Sequence, residues 1–447
     1  MKKFIAIMLC LALSLSLFVG CSKKNDAKDT EQAVVTEGVK DDATVEPTEA
    51  PVEEVVVAPA DVTGNLTYWT FTDSANNLVT EFNKVYPNVK VTLNVFGGDE
   101  YKTKILTTLQ SGKDIPDVFD LEEGYAYEFL DSDMLLDLSQ VGVEEWVSGF
   151  YDFQLASMKD SSGKYKALGF QSSPVAFWYL RDACEKWLGT SDDKEISAML
   201  TGWDKMIATA KDVSEKSNGE VSLWPNLAEM VKVQAFSFEP LVIGGKLVIS
   251  EDWIGMIDSI RAMSDSGYSA ELGSWSSEWA TAWNEGKLLF RTMPSWDFFT
   301  DWEKNDSNVG VAAPFESSYE GGTFIATYAE TANLDAAKAF LQFVASDDFQ
   351  KINMTQYNQV PASKTVAEEL ATGFAAAKFG GQNTLETYSA ICANIEGITP
   401  DKYTRPVQNL FQKHATDGIK AGKTNDEIIS AFKNELTDLY PEVEITE

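Results

Sequence analysis

Residues 66–121 switch repeatedly between two hydrophobic periods, and that switching restricts the fold more than any other feature of the chain. Leu66 to Phe71 is a short apolar run. Asn77 to Tyr86 then places Leu78, Val79, Phe82, Val85 and Tyr86 on one helical face, and Pro87 stops the helix. Val89, Val91, Leu93 and Val95 alternate with Lys90, Thr92 and Asn94, the period of a half-buried strand. Tyr101 to Gln110 returns to the helical period with Ile105, Leu106 and Leu109 inward and Gly112 as C-cap. Asp117 to Leu121, after Pro116, is a third strand. Strand, helix, strand, helix, strand predicts a parallel α/β layer.

The rest of the chain is richer in helix. Ser250 opens a helix carrying Trp253, Ile254, Ile257 and Ile260, and Ser277 or its neighbour opens another, with Trp279 and Trp283, ending at Gly286. Asp335 to Ala345 buries Ala339, Phe340, Phe343 and Val344, and Thr424 to Glu427 is a capping box before Ile428, Ile429, Phe432 and Leu436. With 447 residues, 44% of them apolar, the chain is long enough for a two-domain body.

Charge and the N-terminus bear on where such a chain works. The balance of 36 basic against 69 acidic residues, net −33, repels phosphate and excludes nucleic acid as a partner. Lys2 and Lys3 precede an uncharged apolar run, Phe4 to Val19, shorter than the roughly 20 residues of a spanning helix and suited to a signal peptide over residues 1–20. Leu17 to Cys21 resembles the lipobox of bacterial lipoproteins, which makes Cys21 the expected site of acylation; the plainer reading is an ordinary secretory signal that contains a cysteine. Two or more acyl chains would hold the protein stably at the cell membrane, on its extracytoplasmic face. Residues 22–60 carry ten acidic residues against four lysines, three prolines and no aromatic residue, the composition of an unfolded tether. Beyond Cys10 and Cys21 there remain Cys184 and Cys392, whose pairing sequence leaves open, and one histidine, His414, so no zinc site and no other metal site or cofactor is expected.

The order of short segments carries a resemblance. Gly64-Asn65-Leu66-Thr67-Tyr68-Trp69, Glu81 to Val91, Tyr101 to Ile105, Ser111-Gly112-Lys113, Pro116-Asp117-Val118 and Leu135 to Ser139 come first. Gly163 to Leu168 with Pro174 and Tyr179, Gly202-Trp203-Asp204, Gly286-Lys287 with Phe290 to Trp296, Gly321-Gly322-Thr323, Ala336 to Val344 and Val360 to Lys364 follow. Over about residues 64–440 this succession resembles the extracellular solute-binding proteins of ATP-binding-cassette sugar importers. The resemblance implies an α/β fold of two lobes joined by several hinge crossovers, with ligand in the cleft between them. One lobe is expected over 61–172 and 324–359, the other over 173–323 and 360–447. It also implies a monomer that captures a sugar or oligosaccharide and passes it to membrane permease subunits, with no reaction of its own.

Sugar recognition takes flat aromatic plates for ring C–H faces and carboxylates or amides for the hydroxyl rim. The chain has twelve tryptophans. Trp69 ends the first strand, where parallel sheets place ligand, with Thr72 and Asp73 on the following loop; simple core packing is the alternative for Trp69. Glu122 and Glu123 follow the third strand and either accept hydroxyls or cap the next helix. Gln171, Ser172 and Ser173 stand at the crossing before Pro174. Trp224, Trp275 and Trp296 fall on loop-like segments and are the plate candidates, Trp296 foremost, with Asp297 beside it; Tyr357 and Asn358 precede the third crossing. Trp253, Trp279 and Trp283 are assigned to the core.

Two other classes stay in view. An enzyme would need a carboxylate pair that 69 acidic residues cannot exclude, yet no Gly-x-Ser-x-Gly, Walker or His-Glu-x-x-His motif occurs. A binder of a polyamine, quaternary amine or peptide would also suit acidic groups beside aromatic walls.

Overall fold

The computed structural model describes residues 58–296 and 308–445. The signal peptide, Cys21, nearly all of the tether, and Asp297 lie outside the described residues.

The 64–122 segment folds as its periods require. Strands β1 (Gly64–Thr70), β2 (Val89–Val95) and β3 (Val118–Glu122) are parallel, with Gly64 opposite Val89 and Tyr68 opposite Val118. Helices Ala75–Val85 and Gly98–Ser111 connect them, and Gly112 caps the second at φ +65°. The sheet is mixed, however. In chain order, β4 (Ala167–Gly169), β5 (Val175–Leu180), β6 (Val242–Ile243), β7 (Lys246–Leu247), β8 (Phe290–Pro294), β9 (Val309–Ala312), β10 (Thr323–Thr327) and β11 (Glu444–Ile445) follow. β10 returns late in the chain to pair antiparallel with β3 and β4, giving the order β2-β1-β3-β10-β4. A second, antiparallel sheet runs β8-β5-β9, and a small third one β11-β7-β6.

Two hydrophobic cores result. One gathers Leu66, Phe82, Ile105, Phe119, Leu168, Ile325 and Phe340 around the five-stranded sheet. The other gathers Phe177, Trp178, Trp253, Trp279, Leu289, Val311 and Phe411 around the second. Every residue of β5 is buried, so Val-Ala-Phe-Trp-Tyr-Leu reads as an unbroken apolar run rather than an alternation. Between the cores the chain passes at 170–174, 313–322 and 346–359. The first crossing lies between the other two: Ser172 N–H donates to the Val360 carbonyl at 2.8 Å, and Glu320 N–H to the Ser173 carbonyl at 3.1 Å. The result is a two-lobed fold, its lobes sharing a floor of paired extended segments.

Helix boundaries fall within a few residues of expectation, and the Thr424–Glu427 capping box is complete. Three facing assignments are corrected: Val85, Leu106 and Ile254 are 43%, 37% and 38% exposed. Each is one residue from a fully or nearly buried position (Tyr86, Ile105, Trp253), and a step of one turns about 100° around a helix. Cys184 and Cys392 are separate buried thiols, not a disulfide, and burial pushes both above the ordinary thiol range.

Candidate ligand-binding cleft

Above the paired crossings opens a cleft of about 820 Å³, inside the range of small-molecule sites. Its first wall is the turn after β1, with Phe71, Thr72, Asp73 and Ser74, together with Asn77 and, at the end of β3, Glu122. These are C-terminal strand edges, where an open α/β sheet leaves backbone groups and loops free for ligand. Gln171, Gln359 and Thr323 contribute from the crossings and β10, and Trp296 with Gly321 and Gly322 closes the opposite side.

Trp296 is fixed from several directions. The preceding Pro294 pairs with Val175, and Ser295 bonds the first crossing through its N–H to Pro174 and its hydroxyl to the Ser172 carbonyl, both at 3.1 Å. The indole N–H donates to the Glu320 carbonyl at 2.9 Å. The ring lies so close to Gly321 that a Cβ there would stand 2.8 Å from the indole nitrogen, and Gly321 also has φ +69°, so only glycine suits the position. Trp275 stacks on Trp296, with 6° between planes and 6.1 Å between ring centres.

Trp275 is 40% exposed and holds φ +70°, a conformation a bulky side chain rarely adopts. Neighbouring polar groups hold its loop there. Asn226 donates to the Leu272 carbonyl at 2.6 Å and to Ser274 at 3.1 Å. Buried Glu229 accepts from the Ser274 hydroxyl at 2.6 Å, the Trp279 indole at 3.1 Å and the Thr292 N–H at 3.1 Å. Trp279 backs Trp275 at 5.6 Å between centres.

Glu122 takes the capping alternative and also stands at the cleft. Its carboxylate accepts the Gly124 N–H at 3.0 Å, capping the 123–126 turn, and it lines the cleft. Burial, and then the like charges of Glu123 and Glu320, push its carboxyl up to about 7, against the opposing Gly124 N–H and Arg405. Behind it, Asp120 on β3 is 1% exposed and accepts from the Tyr68 and Thr70 hydroxyls, and burial pushes its carboxyl up to about 7 as well.

A carboxyl raised by folding keeps its proton longer in the folded state, so its stabilising contribution is complete below its unfolded value and is lost as pH rises through about 7. Ligand-free stability should therefore fall between pH 4 and pH 8, with Asp120 contributing on the order of 3 kcal/mol. Urea titrations of Asp120→Asn should show a correspondingly shallower slope with pH than the parent; parallel slopes refute the assignment.

Of the sequence candidates, Asp73, Glu122, Gln171 and Trp296 come together in the cleft, and Trp275 joins them through Trp296. Two are corrected. Trp224 is fully buried in the second core, between the helices Trp203–Ser217 and Leu227–Ala235, and its carbonyl accepts the Ala270 N–H. Trp69 points to the face opposite Tyr68 and packs edge-on against Phe96 at 4.9 Å under the Lys104 ammonium, away from the cleft lining. Tyr357 donates to Glu81 at 3.2 Å and borders a side pit rather than the main cleft. Sequence reasoning missed Asn77, Phe170 and Gln359. Gln359, next to the Val360-Pro361 crossing, had a usable signal; Asn77, inside a helix, had none.

A pair of cores joined by three crossings, with a polar and aromatic cleft over them, defines a hinged binding protein. Residues 77–378 match the bacterial extracellular solute-binding protein family, well over half of the chain, and the chain belongs to that family. Among solved structures it is similar to an extracellular solute-binding protein of family 1, at 19% identity, 84% of this chain, 99% of that one and TM-score 0.73. It is also similar to the galacto-N-biose-/lacto-N-biose I-binding protein of an ABC transporter from Bifidobacterium longum, at 18%, 86%, 99% and 0.68. A third is the sugar-binding protein MalE from Xanthomonas citri, at 12%, 84%, 97% and 0.70. No curated protein matches the sequence.

Proposed function

We propose that this protein captures an uncharged sugar or short oligosaccharide outside the cell and delivers it to an ATP-binding-cassette importer. The observation that carries this reading is Trp296, stacked on Trp275, in one cleft lining with Glu122, Asn77, Gln171 and Gln359. Planar rings suit pyranose C–H faces, and carboxylate and amide groups suit the hydroxyl rim. Among the described lining residues there is no Lys or Arg to favour a phosphorylated ligand. The solved structures similar in fold include proteins named for binding lacto-N-biose and β-1,6-galactobiose. On this reading the protein is a monomeric binder, not an enzyme, with lobes at 61–172 plus 324–359 and 173–323 plus 360–447. Cys21 is the lipid anchor; an unlipidated N-terminus by mass spectrometry overturns that part.

Thermal shift across a panel of sugars, polyamines and peptides tests the reading. A sugar at a hundredfold excess over its dissociation constant should stabilise the fold by about 2.7 kcal/mol. Trp296→Ala should then weaken that sugar about 10- to 100-fold, from an aromatic plate worth about 1–3 kcal/mol, with little change in ligand-free melting. A panel in which only polyamines or peptides stabilise the protein, or a Trp296→Ala variant with parental sugar affinity, sinks the proposal.

A further inference from the structure

Beside the main cleft, and sharing Thr72, Asn77, Gln171 and Gln359 with it, a narrow pit descends between the turn after β1, strand β3 and helix Asp347–Tyr357. Its volume is about 20 Å³. A single water-sized group needs about 10–15 Å³, so the pit takes one such group and no ring.

Asp120 and Asn353 are among the buried polar side chains that line it. Asp120 presents a carboxylate whose oxygens already accept from Tyr68 and Thr70 and retain further acceptor capacity. Asn353 is 5% exposed, and its side-chain nitrogen has no hydrogen-bond partner. Its backbone carbonyl accepts the Gln359 N–H at 3.1 Å, which ties it to the crossing that also lines the cleft. A buried amide donor left unpaired is costly, and a polar group entering the pit beside it would relieve that cost.

The chemistry of that partner is constrained. A group that bonded both would accept from Asn353 and share a proton with Asp120. An ammonium cannot accept from Asn353, and an ionised carboxylate or phosphate has no proton to donate and would be buried without a cation. A hydroxyl does both. An exocyclic hydroxymethyl arm carries its oxygen beyond the ring on a rotatable bond, so the oxygen can enter the pit while the ring stays in the cleft.

We propose that the pit is a recognition site for the primary hydroxyl of a sugar's hydroxymethyl arm, with Asn353 as a specificity-determining residue. This rests on the sugar-binding reading above and selects hydroxymethyl-bearing sugars over their 6-deoxy counterparts. A site built to bond a hydroxyl rejects an analogue that lacks it, because the site's own polar groups are then left unpaired.

The test is calorimetric titration with D-glucose, D-galactose, lacto-N-biose and β-1,6-galactobiose, then with the 6-deoxy forms of each binder that lack one free primary hydroxyl. The 6-deoxy sugars should bind the parent protein about 10- to 100-fold more weakly. Asn353→Leu, close in shape, should weaken the hydroxymethyl sugars by a similar factor and erase the difference between the two forms. Its ligand-free melting should be unchanged or higher, since the variant removes an unpaired buried amide. Equal affinity of the parent for both forms overturns the pit assignment while leaving sugar binding intact. So does Asn353→Leu lowering ligand-free stability, which would make the amide part of the fold. Failure of every sugar to bind the parent overturns the sugar reading, and the pit with it.

Discussion

Arg405→Ala should lower ligand-free stability by about 3–5 kcal/mol, the cost of leaving a buried charge without its partner. The guanidinium Nε stands 2.6 Å from Glu123 Oε1, and the two side chains are 5% and 3% exposed. Glu123 follows the C-terminal end of β3, the central strand of the five-stranded sheet, whereas Arg405 lies in the first turn of the Thr404–Lys420 helix of the second core. The pair therefore ties the two cores together. Arg405 also donates to the Tyr319 carbonyl at 3.0 Å and to Gln408 at 3.2 Å, and it lies over the rings of Phe236 and Tyr319. With Arg405 gone, the Glu123 oxygen keeps the Tyr127 hydroxyl at 3.1 Å as a neutral donor, which cannot offset a buried carboxylate. The double variant Glu123→Leu/Arg405→Met should recover most of the loss, because replacing both charges by apolar groups of similar volume removes the penalty. Urea midpoints of the parent, both single variants and the double complete the cycle. A loss under about 1 kcal/mol in Arg405→Ala, or a double variant no better than the single, would show that the pair is not carrying this load.

Much of this molecule was legible from hydrophobic period alone, and the part that was not has a common cause. The first three strands and their helices follow from local alternation, since each residue's environment there is set by neighbours within a few positions. β10 broke the expectation of a parallel layer because its partners β3 and β4 lie some 150 to 200 positions earlier, and no local pattern encodes a return from that distance. The cleft divides in the same way. Asp73, Glu122 and Gln171 were readable because strand ends and crossings mark cleft-lining positions. Trp296 was readable through a resemblance and through Pro294. Trp275 was less readable, because its positive φ goes with a loop that Asn226 and Glu229 grip from some 45 to 50 positions away. Trp69 and Trp224 went wrong for the opposite reason: a tryptophan at a strand end or beside a proline looks alike whether its ring faces a cleft or a core.

Trp224→Ala should be the other large loss, about 3–5 kcal/mol of ligand-free stability, as for a fully buried aromatic cut to alanine. Trp224 is wholly enclosed in the second core beside Leu223 and Leu227. Its backbone forms a parallel bridge with Ser269 and accepts the Ala270 N–H at 3.2 Å, while the Pro225 carbonyl accepts the Leu272 N–H at 2.9 Å. Those bonds support the segment that delivers Trp275 to the aromatic surface, so a cavity beneath them should loosen the loop as well as the core. Ligand affinity should fall too, but by less than in Trp296→Ala, because Trp224 acts on the surface only through Trp275. The contrast between the two tryptophans is the useful part. Trp296→Ala should show near-parental ligand-free melting with sugar affinity down about 10- to 100-fold. Trp224→Ala should show a steep fall in melting temperature with a milder change in affinity among molecules still folded. Measuring both quantities on both variants separates the plate from the foundation. A Trp224→Ala protein that melts like the parent yet loses its sugar would return Trp224 to the cleft and overturn the placement described here.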